Sequence, residues 1–315
     1  MSLRIAFQME PMDQVNPLKN NTLTLMEAAQ ARGHACYQYH PTELRLTHEG
    51  VYARARCVTL NKQSTDFYVL SEDEVLDLAE VDAVLIRQDP PFNMEYITAT
   101  YALERIKHTT LVVNDPTEIR NAPEKIFPLE LQEFIPPTLI TADSEAIKGF
   151  YEEYQDIIIK PLYLFGGEGV FHFHKGNSTN LEPAVQQMLK EQQCPIVAQK
   201  FIPEVSQGDT RILLLDGEIA GAFLRVPEQG SVRANLMAGG ALHKTEIRSH
   251  YHAICEALKP LLQSRGLTIC GIDLIGNYLT EINTTSPIGF REIATLYGRN
   301  PADDFWQWVE KRLTA

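Results

Sequence analysis

The chain has 315 residues, with 28 Lys and Arg against 41 Asp and Glu and a formal net charge of -13, and its pI is about 5.2. This acidity, without any Lys/Arg run, argues against a nucleic-acid-binding surface, and no apolar stretch is long enough to span a bilayer. Cys36, Cys57, Cys194, Cys255 and Cys270 are scattered, odd in number and without a CxxC pair, which argues against a disulfide framework or zinc site and fits reduced thiols in a cytoplasmic protein.

The length suits two or three modest domains. Residues 4–9 read as a strand with no basic-then-apolar leader before it, pointing away from a signal peptide. A loop with Pro11 and Pro17 follows, then a helix over residues 22–32 closing at Gly33. Residues 81–87 and 111–114 read as buried strands, with a helix over 94–107 between them. Strands alternating with helices predict an open α/β first domain ending near residue 120.

From residue 156 the pattern changes. Residues 156–161 and 170–174 read as strands around the loop Gly166-Gly167-Glu168-Gly169, and an apolar run over 195–202 follows. Residues 211–226 read as a hairpin turning at Asp216-Gly217, and the chain ends in a helix over 303–312. Hairpins without crossover helices predict an antiparallel α+β unit here.

The segment Gly271 to Asn283 carries the most chemistry. Asp273, Glu281 and Asn283 stand among Leu274, Ile275 and Ile282, and buried carboxylates are costly unless neutralised. A hard divalent cation held through oxygens would do this; an ordinary hairpin with polar positions is the competing reading. A two-residue loop at Gly276-Asn277 would pair Asp273 with Thr280 and turn Glu281 to the other face. A three-residue loop, Gly276-Asn277-Tyr278, pairs Asp273 with Glu281 and keeps all three ligands together, so the longer loop is expected.

Other candidates are individually weaker. The amides of Leu164-Phe165-Gly166-Gly167-Glu168-Gly169 can cover a phosphate chain, although the spacing is neither a P-loop nor a GxGxxG site. Lys160 ends an apolar strand beside it, which solvation explains poorly. Lys125 alone reads as a surface lysine. Arg211, Arg225 and Arg233 lie on or beside the second hairpin, where alternation brings Arg211 and Arg225 within reach of one ligand; any one of them also reads as a surface ion pair. Asn235, Gly239 and Gly240 form a flexible stretch that can lie against a nucleotide. In Arg87-Gln88-Asp89-Pro90-Pro91-Phe92 a buried strand ends in polar residues, and Arg87 can meet a substrate carboxylate. His243, His250 and His252 are spaced unlike zinc ligands and read as solvated, while Trp306 and Trp308 read as packing residues.

Six ordered blocks resemble the bacterial glutathione synthetase family of ATP-grasp ligases: Ala6-Phe7-Gln8-Met9-Glu10-Pro11, Arg87 to Phe92, Val113-Asn114-Asp115-Pro116, Asn121-Ala122-Pro123-Glu124-Lys125, Ile159-Lys160-Pro161-Leu162 and Thr280 to Pro287. The resemblance implies a mixed α/β and α+β ATP-grasp fold: an N-terminal open α/β domain over 1–120, a lid over 121–195 and a C-terminal antiparallel-sheet catalytic domain over 196–315. ATP would lie between the last two. Lys125 and Lys160 would meet its phosphates under Gly166 and Gly167, and Gln199, Lys200, Phe201 and Ile202 would line the adenine pocket. Asp273, Glu281 and Asn283 would hold magnesium, or manganese in its place. Arg211, Arg233 and Asn235 look like phosphate and acyl-phosphate contacts. Arg87, Arg225, Asp209 and Ser286 look like substrate contacts, with Asp209 also reaching the nucleotide side.

The implied activity joins γ-glutamylcysteine to glycine with ATP, in a cytoplasmic homo-oligomer, a tetramer, that engages neither nucleic acid nor membrane. A ligase for a related γ-glutamyl peptide or another amine is the nearer alternative, and a nucleotide-binding homologue without turnover the further one. Leu164, Phe165, Thr210, Ala241 and Asn20-Asn21 depart from the family pattern and bear on substrate choice or rate.

Overall fold

The computed structural model describes residues 2–61, 67–228 and 240–314. Its first sheet is built from β1 (Arg4–Gln8), β2 (Ala35–Tyr39), β3 (Leu44–Leu46), β4 (Val51–Leu60), β5 (Tyr68–Leu70), β6 (Glu74–Asp77), β7 (Ala83–Ile86) and β8 (Leu111–Val113). β1 lies between β2 and β7, with β8 outside β7, all parallel. Parallel neighbours need a crossover. Accordingly α1 (Asn21–Ala31) joins β1 to β2 and α2 (Met94–Glu104) joins β7 to β8. α1 starts where the Asn20 side chain accepts the Leu23 N–H, and the chain leaves it through Gly33 at φ 81°. The open α/β expectation therefore holds. The meander β3 to β6 is an addition to that expectation: β3, β5 and β6 are only three or four residues long, and each pairs with the ten-residue β4.

The second sheet has the order β11-β10-β12-β9, from β9 (Thr138–Thr141), β10 (Asp156–Pro161), β11 (Phe171–His174) and β12 (Ile196–Lys200). Every pairing is antiparallel. β9 and β10 both run antiparallel to β12, so they are parallel to each other and need a crossover, which α4 (Ser144–Tyr154) supplies after the short α3 (Pro116–Asn121). The same logic puts α5 (Leu181–Gln192) between β11 and β12. The expectation of hairpins without crossover helices is thus corrected, although the antiparallel pairing stands. β12 also belongs to this sheet, so the strand-level division falls between Lys200 and Asp209, not at residue 195.

Alternation splits this sheet into two faces. Ile157, Ile159, Phe173, Ile196 and Ala198 pack under α4 and α5 in a core of their own. Ile158 and Gln199, directly opposed in the register, face the other way. A unit with its own core is packed as a separate body.

The third sheet is β15-β14-β13-β16-β17: β13 (Asp209–Leu215), β14 (Glu218–Val226), β15 (Ala241–His243), β16 (Ile269–Ile275) and β17 (Tyr278–Asn283). The β13–β14 turn falls at Asp216-Gly217, both at positive φ (51° and 78°), as the sequence predicts. On one face Ile212, Ile272, Leu274 and Ile282 pack with Ile254, Leu258 and Leu262 of α6 (Ser249–Arg265). After α7 (Phe290–Tyr297), α8 (Pro301–Thr314) returns the chain to the first domain. There Trp306 is fully buried and its indole N–H donates to the Leu25 carbonyl, 2.8 Å away. Trp306 is the packing residue expected of it, and it joins the first and third units into a continuous core.

Candidate active site

Two neighbouring cavities share a wall made of Phe165, Gly166, Asp273 and Glu281. The first, about 120 Å³, lies between the second and third sheets. Lys125, Lys160, Leu164, Phe165, Gly166 and Gly167 close one end, and Gln199, Lys200, Phe201 and Ile202 line the other, with Asp209. The second, about 150 Å³, is lined by Arg211, Arg225, Asn283, Ser286, Asp89 and Glu124.

The shared wall depends on an irregularity in β17. The turn between β16 and β17 has two residues, Gly276-Asn277, with Ile275 paired to Tyr278; the expected three-residue loop is not formed. A regular ladder would then oppose Asp273 to Thr280. Instead the register slips by one residue at Thr280, and Asp273 pairs with Glu281 and Gly271 with Asn283. The Thr280 hydroxyl closes this bulge by donating to the Asp273 carbonyl at 3.0 Å. Asp273, Glu281 and Asn283 therefore share a face, as expected, but through a bulge.

The charges there are matched within the protein. Arg211 grips both oxygens of Asp273 through Nε and Nη2. Arg225 Nη2 lies 2.9 Å from Asp273 Oδ1, and the same guanidinium forks onto Asp209. Burial alone would push Asp273 up, but Arg211 and Arg225 outweigh it and hold the carboxyl well below the usual carboxylate range. Burial likewise acts against the Glu281 carboxylate, yet Lys125 at 3.9 Å and Lys160 at 3.3 Å bring its pKa down. Lys160 is itself pushed below the ordinary lysine value, chiefly by burial. Lys125 also donates to the Leu164 carbonyl at 2.6 Å, tying it to the glycine loop. It is 8 % exposed, so its reading as a surface lysine fails.

Gly271 allows this packing. A Cβ there would meet Arg211 Nη1 at 3.0 Å, Arg211 Cδ at 3.2 Å and Pro287 Cβ at 3.2 Å. Two carboxylates and one amide on a face form an all-oxygen donor set of the kind hard divalent cations take. Among the described residues no three His, Cys, Asp or Glu side chains gather as a metal site. A cation here would therefore complete its shell from phosphate or water.

Other expectations fare differently. Arg87 lines neither cavity: it is 3 % exposed, its Nε donates to Thr22 Oγ1 at 3.3 Å and its Nη2 to the Pro287 carbonyl at 3.1 Å. The guanidinium thus ties the first domain to the Ser286-Pro287 turn through Nε and Nη2. Asn20 is a helix cap, and Asn21 bonds Glu292 and accepts from the amides of Gly289 and Arg291. His250 is not simply solvated, since its Nε2 lies 2.6 Å from the Asn277 carbonyl. Arg233, Asn235 and Gly239 lie outside the described residues.

Sequence reasoning missed Glu124. Its carboxylate accepts from Thr285 Oγ1 at 2.7 Å, lines the second cavity and is pushed above its usual value by burial. Its signals were adjacency to Lys125 and its place in the block Asn121 to Lys125. Burial pushes the Cys36 and Cys255 thiols up to about 12, and neither lines these cavities.

Cavities of this form, between an antiparallel lid and a second antiparallel sheet, define an ATP-grasp ligase fold. D-cycloserine synthetase DcsG shares it with a TM-score of 0.71 at 15% identity, over 98% of this chain and 99% of that one. So does a Chryseobacterium gregarium RiPP-associated ATP-grasp ligase solved with ADP and peptide, with a TM-score of 0.67 at 17% identity over 99% and 97% of the two chains. Family models for the prokaryotic glutathione synthetase N-terminal domain and ATP-grasp domain match residues 3–120 and 124–298. Glutathione synthetases of Brucella melitensis and Mesorhizobium japonicum are 44% and 43% identical, over 99% and 98% of this chain and 100% and 99% of theirs. The chain belongs to the prokaryotic glutathione synthetase family. Among the described residues no helix is long and apolar enough to cross a membrane.

Proposed function

We infer that this chain is a glutathione synthetase, joining γ-glutamylcysteine to glycine with conversion of ATP to ADP and phosphate. The observation that carries the reading is the meeting of the two cavities at Asp273 and Glu281. ATP lies in the first cavity with its base against Gln199 to Ile202 and its phosphates toward Lys125 and Lys160. The acceptor carboxylate lies in the second, beside Arg211 and Arg225. The γ-phosphate and the acid thus face each other across the shared wall.

A carboxylate is a poor electrophile, so its oxygen first attacks the γ-phosphorus, with ADP leaving. The glycine amine then attacks the acyl phosphate carbon, and phosphate departs from the tetrahedral intermediate. No protein nucleophile is required. Lys125 and Lys160 compensate the charge spread over the transferring phosphoryl group. Arg211 and Arg225 orient the acid, and Glu124 stands on the same cavity wall as a polar partner for the incoming amine. Glycine loop 166–169 covers the phosphates and excludes water. Asp273, Glu281 and Asn283 would hold magnesium, or manganese, which supplies further charge neutralisation for the phosphates when bound.

The reading extends to a cytoplasmic homotetramer, which sedimentation of the purified chain tests. Coupled ADP release should require both γ-glutamylcysteine and glycine, with the tripeptide seen by mass spectrometry. ADP release independent of glycine, or a better product from another amine in a panel, would overturn the substrate assignment.

A further inference from the structure

Phe201 is part of the wall of the first cavity, and one face of its ring is covered by the imidazole of His172: the ring centroids are 3.9 Å apart and the planes 25° from parallel. His172 is itself held, with Nε2 2.6 Å from Asp156 Oδ1. The Asp156 carbonyl also accepts the backbone N–H of Phe201 at 3.0 Å. One residue thus fixes both the backbone of the stacked phenylalanine and the ring lying on it.

The register explains the placement. His172 opposes Ile158, and Ile158 lines the cavity, so His172 stands on the cavity side of the sheet. The lid core, with Phe173 in it, is on the opposite side. Core packing therefore does not account for an imidazole at this position. His174, two residues on and on the same face, is exposed, with its ring centroid 5.3 Å from that of His172. A free phenyl wall would turn about its side-chain torsions; a stack anchored by a carboxylate removes that freedom before the ligand arrives.

We propose that His172, clamped by Asp156, is a positioning residue for nucleotide binding, holding the Phe201 ring as a fixed wall for the base. This rests on the reading of the first cavity as the ATP site.

The test compares steady-state kinetics, ADP titration by calorimetry and thermal stability without nucleotide. His172→Ala should raise KM for ATP and Kd for ADP about threefold to tenfold, the size of one lost aromatic stack. Its kcat, its KM for glycine and its melting temperature should stay near those of the parent. His172→Phe should restore most of the nucleotide affinity because the stack survives, and Asp156→Asn should fall between. Unchanged ADP affinity in His172→Ala overturns the proposal, as does a uniform rise in every KM with a lowered melting temperature. Phe201→Ala separates the two readings. If it leaves ATP and ADP affinity untouched, the nucleotide-cavity assignment is at fault. If it weakens both while His172→Ala does not, only the positioning role fails.

Discussion

Asp273 and Glu281 stand directly opposite each other on β16 and β17 because Thr280, between Glu281 and Leu279, drops out of the ladder. The bulge, and not the turn, sets which side chains meet. Its closing bond is the one from Thr280 Oγ1 to the Asp273 carbonyl. Thr280→Val keeps the β-branched shape and deletes that donor, leaving one carbonyl short of a partner. The expected loss is about 1 kcal/mol of stability, read by denaturant titration. A fall in kcat should accompany it, since Glu281 and Asn283 follow the bulge. A variant with full activity and parental stability would show that the hydroxyl does not hold the register.

Glu281 faces Lys125 and Lys160 and is the carboxylate nearest both. Glu281→Gln preserves its shape and removes one charge. Catalysis should fall by orders of magnitude, in keeping with the several kcal/mol that metal charge contributes to phosphoryl transfer, while the circular dichroism spectrum stays the parent's and the melting temperature drops, because buried Lys125 and Lys160 lose their shared carboxylate. An active Glu281→Gln enzyme would mean that the cation site has been misassigned.

How far this site could be read from sequence differs residue by residue. Strand alternation put Glu281 and Asn283 on one face, but it reached Asp273 only through a three-residue loop that is not formed; the bulge supplies that last step. The bulge was invisible, since nothing in Thr280 distinguishes a threonine in a ladder from one outside it. Glu124 stood in a matching block, but its part in the site comes from Thr285 and from the second cavity, both supplied by distant chain. The structural part of Arg87 was hidden for the same reason, since the Pro287 carbonyl and Thr22 are brought to it only by the fold. The lid helices α4 and α5 each carry the one-sided apolar pattern of an amphipathic helix, so the sequence does hold their signal, and the strand order makes both crossovers necessary.

Acid should weaken the fold through the buried pairs. The folded-state pKa values of Asp273 and Glu281 lie below their ordinary ones. Their contribution is therefore fully present above the ordinary carboxylate range and is lost as pH falls through the lowered folded values. Melting temperature measured downward from neutral pH should hold steady and then drop below about pH 4. Asp273→Ala leaves Arg211 and Arg225 buried beside no partner at that position and should cost about 3 kcal/mol or more at neutral pH. That deficit should shrink at low pH, where the parent loses the same ion pairs. A constant deficit across the range would show that the loss is one of packing and not of charge.

Gly271 tests whether close approach matters. A methyl group there collides with the Arg211 guanidinium and with Pro287. Arg211 can move, Pro287 less easily, so Gly271→Ala should push Arg211 off Asp273. We expect kcat to fall at least about tenfold, one 1.4 kcal/mol step of transition-state stabilisation, with a smaller change in KM for ATP because Arg211 lines only the second cavity. Equal effects on both substrates would point to general loosening of β16.

The apolar residues of the glycine loop divide their roles. Leu164 and Phe165 line the first cavity, while the contact with the first domain is made one residue earlier, by Tyr163 stacked on Phe92 with centroids 6.1 Å apart. Tyr163 is 36% exposed, so its ring is not a core residue, and its removal should not unfold the lid. The Leu164 carbonyl, one residue on, receives the Lys125 ammonium. Tyr163 therefore fastens the loop to the first domain at the point where the loop touches a phosphate-site lysine. Loops of this kind open for exchange and close to exclude water. Tyr163→Ala should bias the loop open, raising KM for ATP and the rate of wasteful ATP hydrolysis without glycine, with little change in melting temperature. Tyr163→Phe should behave as the parent, because the stack needs the ring and not the hydroxyl. If Tyr163→Ala instead melts early and binds ATP normally, the stack is structural and closure is governed elsewhere in the loop.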